Sequence, residues 1–433
     1  MKIKENCLKW LRYILLNLFC FTILSANVYD PKDLTVYSQD PKIYTKNIKP
    51  LNKKVKKKLY KEFIYSYFSP WNLKKMPISK KNASWGIVYS KMDVYAENYR
   101  KINKKWFKDV IELSNMKKFD TKRLRAITVR NANLRLFPSN SPIFKDFKKA
   151  GEGYPFDYNQ NSSVNLNSPL YISHYSKDKA WAFVSASFAS GWMMVRDIAV
   201  VSKDVIDKFK NEHKYYVAIK DDFPIYKSGV FKDYIKLGTI FPLRHKKMAM
   251  VIRDNTGKGY LSRIDTNKNI VPFPIKFNKK NLNNVINQLI DKPYGWGGFL
   301  GNRDCSLLTK DALTPFGFPM KRNSYAQLKN GKYISFKGKT NNQKKEYIKK
   351  HAIPFLSLIY IKGHIALYLG VRYNEPIIFH NFWGVKTLKE GIKGRFIVGK
   401  SVISTLEIGK ELKDFDDTQS ILSKVKGIVI LGK

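Results

Sequence analysis

Short apolar runs cut by Asn, Ser, Pro and Gly dominate residues 122–261, and such punctuation calls for short strands in small β structures. A first group comprises 125–130, 171–174, 180–185 and 191–195. A second group, after a helical stretch at 202–210, comprises 215–219, 223–226, 239–243, 248–252 and 259–261. The two groups are alike in texture, without a tight repeat. They predict two small β-barrels in series, over 116–205 and 206–278.

The chain has 433 residues, 44% of them hydrophobic and 14% aromatic, and a formal charge of +46. That apolar content excludes wholesale disorder despite the charge. Lysine runs such as 53–58 first suggest nucleic acid, but no helix-turn-helix, finger or single-strand module is legible. The start points elsewhere. Lys2, Lys4, Lys9 and Arg12 lead into an apolar stretch, Tyr13–Leu24, followed by Ser25-Ala26. This predicts a secretory signal over 1–26, the apolar part being short for a membrane span of about 20 residues. A retained anchor is the alternative, since Leu24 fits poorly before a cut at Ala26. The expected location is therefore the periplasm or outer face of the envelope, where anionic polymers satisfy the charge; solvated lysines are the plain alternative. Removing 1–26 also removes Cys7 and Cys20, leaving Cys305 and no internal disulfide.

Residues 27–115 read as a Pro-punctuated arm followed by a helical unit carrying Leu59, Phe63, Tyr67, Trp106 and Val110. From 279 to 433 the texture is α+β. A helix at 281–290 and the turn Tyr294-Gly-Trp-Gly-Gly-Phe-Leu-Gly301 lead to a second helix at 306–314. Strands follow at 355–361, 364–371 and 376–382, with 427–431 as an outer strand.

Cys305 falls in the first turn of the second helix, where unpaired N–H groups favour thiolate and offer an oxyanion hole. The residue is a candidate nucleophile, an inert thiol or a metal ligand. A nucleophile needs a base, and His364 is placed for it: with Ala366 and Tyr368 it shares one strand face, opposite aliphatic Ile365, Leu367 and Leu369. A satisfied core histidine is the alternative. His380, across a hairpin at 373–376, is the candidate orienter of His364. His351 reads as a surface residue. Cys plus two His is also a zinc set, but no close pair seeds one.

Tyr294-Gly-Trp-Gly-Gly298, Arg303-Asp-Cys-Ser306, Pro315-Phe-Gly-Phe318, Lys321-Arg-Asn-Ser324 with Gln327, Gly363-His-Ile-Ala-Leu-Tyr-Leu-Gly370 and His380 together resemble the NlpC-type cell-wall cysteine peptidases, of papain-like fold. Tyr67-Phe-Ser-Pro-Trp71 is similar to the stabilising segment of the subgroup with two SH3-like barrels. The resemblance implies an α+β papain-like domain; a monomer without metal or cofactor is expected. It implies hydrolysis of peptidoglycan stem peptides or muropeptides between γ-D-glutamyl and a diamino acid, usually meso-diaminopimelate. Cys305 would be nucleophile, His364 base and acid, and His380 orienter. Asp304 would hold the ammonium of a free N-terminal L-alanine, with Tyr294 by the scissile carbonyl and Ser306 by the D-glutamyl part. Arg322 and Ser324 complete the expected substrate set. A transferase, another wall amidase and a non-catalytic wall binder are the rival readings. Leu307 and Met320-Lys321 depart from the pattern.

Overall fold

In the computed structural model, residues 30–46, 48–210, 214–245 and 247–432 are described, so the expected export signal lies outside the described residues. The first β unit comprises β1 (Leu124–Thr128), β2 (Ala132–Arg135), β3 (Gln160–Val164), β4 (Pro169–Tyr175), β5 (Trp181–Ser185), β6 (Ser190–Met194) and β7 (Ile198–Val201). The second comprises β8 (Tyr215–Ala218), β9 (Phe223–Lys227), β10 (Val230–Ile235), β11 (Ile240–Arg244), β12 (Lys247–Arg253), β13 (Lys258–Arg263) and β14 (Ile270–Pro272). The two units share one twelve-stranded order, β14-β8-β11-β12-β13-β7-β1-β4-β5-β6-β2-β3, while β9 and β10 pair as a separate hairpin. The units join where β13 runs parallel to β7. They are thus fused edge to edge rather than merely consecutive.

The helices that matter are α1 (Lys53–Tyr67), α2 (Lys104–Leu113), α3 (Lys203–Lys210), α4 (Lys279–Asn287), α5 (Cys305–Leu313) and α6 (Asn341–His351). The Asn52 side chain caps α1 by accepting from Val55 N–H at 2.8 Å. Helical spacing puts Leu59 and Phe63 on one face of α1. Leu59 enters the core of the C-terminal domain and Phe63 the core of the second β unit, so one helix clamps two bodies.

The C-terminal sheet comprises β15 (Gly331–Ser335), β16 (Ser357–Ile361), β17 (His364–Arg372), β18 (Glu375–Lys389), β19 (Ile392–Ser404) and β20 (Val425–Leu431), in the order β15-β20-β16-β17-β18-β19. The C-terminal run is therefore an inner strand, not the expected outer one, because β15 pairs along its free edge. Both faces of the sheet are covered. Ile365, Leu367 and Leu369 pack with Leu308 and Ala312 of α5, while Ala366 and Tyr368 pack with Ile348 of α6. This corrects the expected role of alternation: the aliphatic face is the one that meets the cysteine helix, and the face of Ala366 and Tyr368 is a second core.

The arm at 30–46 shows no apolar period, yet it is tied to the catalytic sheet. Gln39 donates to the carbonyl of Ile403 and accepts from its N–H, both at 2.8 Å. Asp33 Oδ2 accepts from Thr405 N–H and Oγ1, each at 2.7 Å.

Candidate active site

The turn before α5 is built from glycine for a reason beyond flexibility. Gly297 and Gly298 have φ of +62° and +88°, and an added Cβ would stand 2.4 Å from Gln160 O and 2.5 Å from Ser163 Oγ. Only glycine lets this loop lie against β3 of the first β unit. The approach is secured by Gln160 Nε2 donating to Gly297 O at 3.3 Å.

Asp304 is the N-cap of α5, its Oδ1 accepting from Leu307 N–H at 2.8 Å, so Cys305 is the first helical residue. The same carboxylate accepts from Ser306 Oγ at 2.9 Å, Gly297 N–H at 3.1 Å, and both Arg322 Nη1 (3.1 Å) and Nη2 (2.7 Å). Burial would raise its pKa, but the Arg322 guanidinium and these donors hold it below the ordinary carboxylate range. Asp304, the residue expected to hold a substrate ammonium, already accepts from five donors, and Ser306 and Arg322 are among them. Arg322 also donates through Nε to Ser162 Oγ of β3 at 2.7 Å, which locks the first β unit to the start of the cysteine helix.

A second buried pair does the same from the other side. Arg303 donates through Nη1 and Nη2 to Asp221, at 2.7 and 2.8 Å, and through Nε to Asp311 at 2.8 Å. Burial works against Asp221 ionising, yet Arg303 pulls it down to about 2. The second β unit thus grips the chain two residues before the nucleophile.

Cys305 is buried, and the N–H groups of Ile365 and Ser306 face its sulfur. Ile365 directly follows His364 in β17, so the thiol sits at the strand start that carries the imidazole. No direct hydrogen bond joins sulfur and ring among the described residues. His364 Nε2 is instead 2.9 Å from His380 Nδ1, whose Nε2 is 3.0 Å from Ser404 Oγ. Burial pushes the thiol up to about 12, with Asp304 adding to the rise, and pushes His364 down to about 4. The expectation of a thiolate held by the helix start is corrected accordingly: the two N–H groups lower the thiol's pKa, but dehydration outweighs them. Both shifts favour thiol and neutral imidazole over the ion pair. With both nitrogens of His380 and one of His364 hydrogen-bonded, the trio is arranged as a relay and not as a ligand set.

Tyr294 lies close enough to Cys305 and Asp304 for their charges to add to the burial that raises its hydroxyl pKa. Its ring packs on Phe156 and Trp383, at 5.6 and 5.8 Å between centroids. Together with Asp304, Cys305, Ser306, Arg322 and Ser324 it lines a cleft of about 610 Å³. The rest of the lining comes from elsewhere in the chain: Trp85 and Tyr89 from the N-terminal unit, Tyr158, Gln160 and 185–191 from the first β unit. Sequence reasoning missed these wall residues, as well as Ser404 and Asn381, whose Nδ2 donates to Arg303 O at 2.8 Å. No local spacing marks them, because each partner is distant in the chain. Lys321, a departure from the pattern, also lines the cleft.

Family models match three segments: the NLPC_P60 stabilising domain (N term) over 12–119, the SH3 domain (SH3b1 type) over 142–194, and the NlpC/P60 family over 291–389. Among solved structures, a novel NlpC/P60 endopeptidase from Photobacterium damselae subsp. piscicida is similar. It is 27% identical, with 91% of this chain and 97% of that one covered and a TM-score of 0.84. An NlpC/P60 family protein from Bacillus cereus is 16% identical, with 70% and 98% covered and a TM-score of 0.44. No curated protein matches the sequence. With the cysteine at a helix start, the paired histidines on β17 and β18 and these family matches in chain order, the chain has the cysteine peptidase fold of the NlpC/P60 type, with an SH3-like accessory domain and an N-terminal stabilising segment.

Proposed function

We propose that the bond cleaved is the one between γ-D-glutamyl and the diamino acid, meso-diaminopimelate in the usual case, in stems that begin with a free L-alanine. The observation that carries this reading is the wall. Trp85, Tyr89, Tyr158 and Gln160 line the same cleft as Cys305, and such a lining drawn from other units favours a short peptide end over a continuous polymer. Cys305 attacks the γ-carbonyl while His364 takes the thiol proton, so that charge appears only as the new bond forms. First-turn N–H groups of α5 stabilise the oxyanion. His364 then protonates the departing amine and activates the water that releases the acyl group.

The alanine ammonium is placed by Asp304, which must share its oxygens with Arg322. Tyr294 lies by the scissile carbonyl, and Ser306 and Ser324 by the D-glutamyl part. The enzyme works outside the cytoplasm, on muropeptides or wall stems, as a monomer and without nucleic acid. Digestion of purified muropeptides with mass analysis tests the bond. Release of L-alanyl-γ-D-glutamate, absent with Cys305→Ala, is the expected result; a product cut at any other bond overturns it.

A further inference from the structure

Ser404 ends β19, is fully buried, and has no part in the reaction as described so far. The β18–β19 register pairs His380 with Val402 and Ile378 with Ser404, so His380 and Ser404 are diagonal neighbours on one sheet face. Ser404 Oγ lies 3.0 Å from His380 Nε2 and 2.9 Å from the carbonyl of Thr405.

A serine hydroxyl has one proton to donate. Given to His380 Nε2, it would leave the Thr405 carbonyl without that bond. His380 would then carry its proton on Nδ1 and donate to His364 Nε2. His364 would in turn be protonated on Nδ1, with no lone pair left for the thiol. Given to the Thr405 carbonyl, the proton leaves Ser404 free to accept from His380 Nε2–H. His380 Nδ1 then accepts from His364 Nε2–H, and His364 Nδ1 stays bare. The second arrangement makes three hydrogen bonds where the first makes two, and buried polar groups favour the fuller set. Thr405 is itself fixed, since its N–H and hydroxyl both donate to Asp33 of the N-terminal arm.

We propose that Ser404 is a positioning residue of the active site: it sets the tautomer of His380, and through it makes Nδ1 of His364 the atom that takes the thiol proton. The proposal rests on the peptidase reading of Cys305 and His364, but its first test needs no substrate. Long-range proton–nitrogen spectra of the full chain labelled with 15N-histidine should show both His364 and His380 as Nε2–H tautomers. Ser404→Ala should move His380 toward Nδ1–H and lower kcat about tenfold or more, leaving KM little changed. Ser404→Thr, which keeps the hydroxyl, should restore both readings. A wild-type His364 protonated at Nδ1 overturns the proposal, as does a folded Ser404→Ala protein with unchanged tautomers. If Ser404→Ala does not fold, the wild-type spectrum decides. Correct tautomers in a protein that cleaves no muropeptide would refute the proposed reaction and leave the relay standing.

Discussion

Burial acts on Cys305 and His364 in opposite senses, and both shifts favour the uncharged pair. This has a direct consequence for pH. The base must be neutral to accept a proton, and His364 stays neutral down to about 4. Falling pH should therefore leave kcat/KM intact through the ordinary histidine range near 6.5 and reduce it only as pH approaches 4. A profile whose acid limb lies at 6.5 or above would contradict this. Asp304 makes a second test. Its removal strands the buried Arg322, so Asp304→Ala should cost about 3–5 kcal/mol in denaturant unfolding, far above a surface change. Cys305, His364 and His380 were legible because helix period and motif spacing are local signals. The ionisation state was not, since it depends on how much protein closes over the sulfur. Nor was the occupation of Asp304, because its partners come from 297, 306, 307 and 322.

At the scale of elements, the Gly-rich turn joins what its own domain needs to what the first β unit needs. Gly297→Ala would force a side chain onto left-handed backbone and against Gln160 O. The expected loss is about 1–3 kcal/mol of stability, with a fall in activity as β3 withdraws from the cleft. Thermal unfolding and a cleavage assay on the same sample check both parts. Most elements could be read from the sequence: α1 from Leu59 and Phe63, α5 from its apolar period, β16–β18 from alternation. Three features could not. β3 is made of Gln, Asn and Ser with a single valine, and so lacks an apolar pattern. The placement of β20 inside the sheet depends on β15, whose exposed, Lys- and Tyr-bearing sequence gives little signal. The arm at 30–46 binds through Asp33 and Gln39 to backbone groups of Ile403 and Thr405 and to the Thr405 hydroxyl, a mode of attachment that has no period.

Across the whole molecule, two buried arginines tie separate bodies to one helix start: Arg322 to the first β unit and Arg303 to the second. The accessory units are thus part of the cleft and not appendages to it. The charge of +46 adds a long-range term. Co-sedimentation with anionic wall polymer should fall steeply as salt rises, because screening shortens the reach of surface lysines to about 10 Å at 0.1 M; salt-independent binding would argue against an electrostatic partner. Substrate choice depends most on the walled cleft selecting a free peptide end. The direct measurement compares kcat/KM for L-alanyl-γ-D-glutamyl-meso-diaminopimelate with that for the same tripeptide acylated at its N-terminus. At least tenfold preference for the free amine is predicted, about 1.4 kcal/mol of discrimination; equal rates, or preference for the blocked peptide, would contradict it.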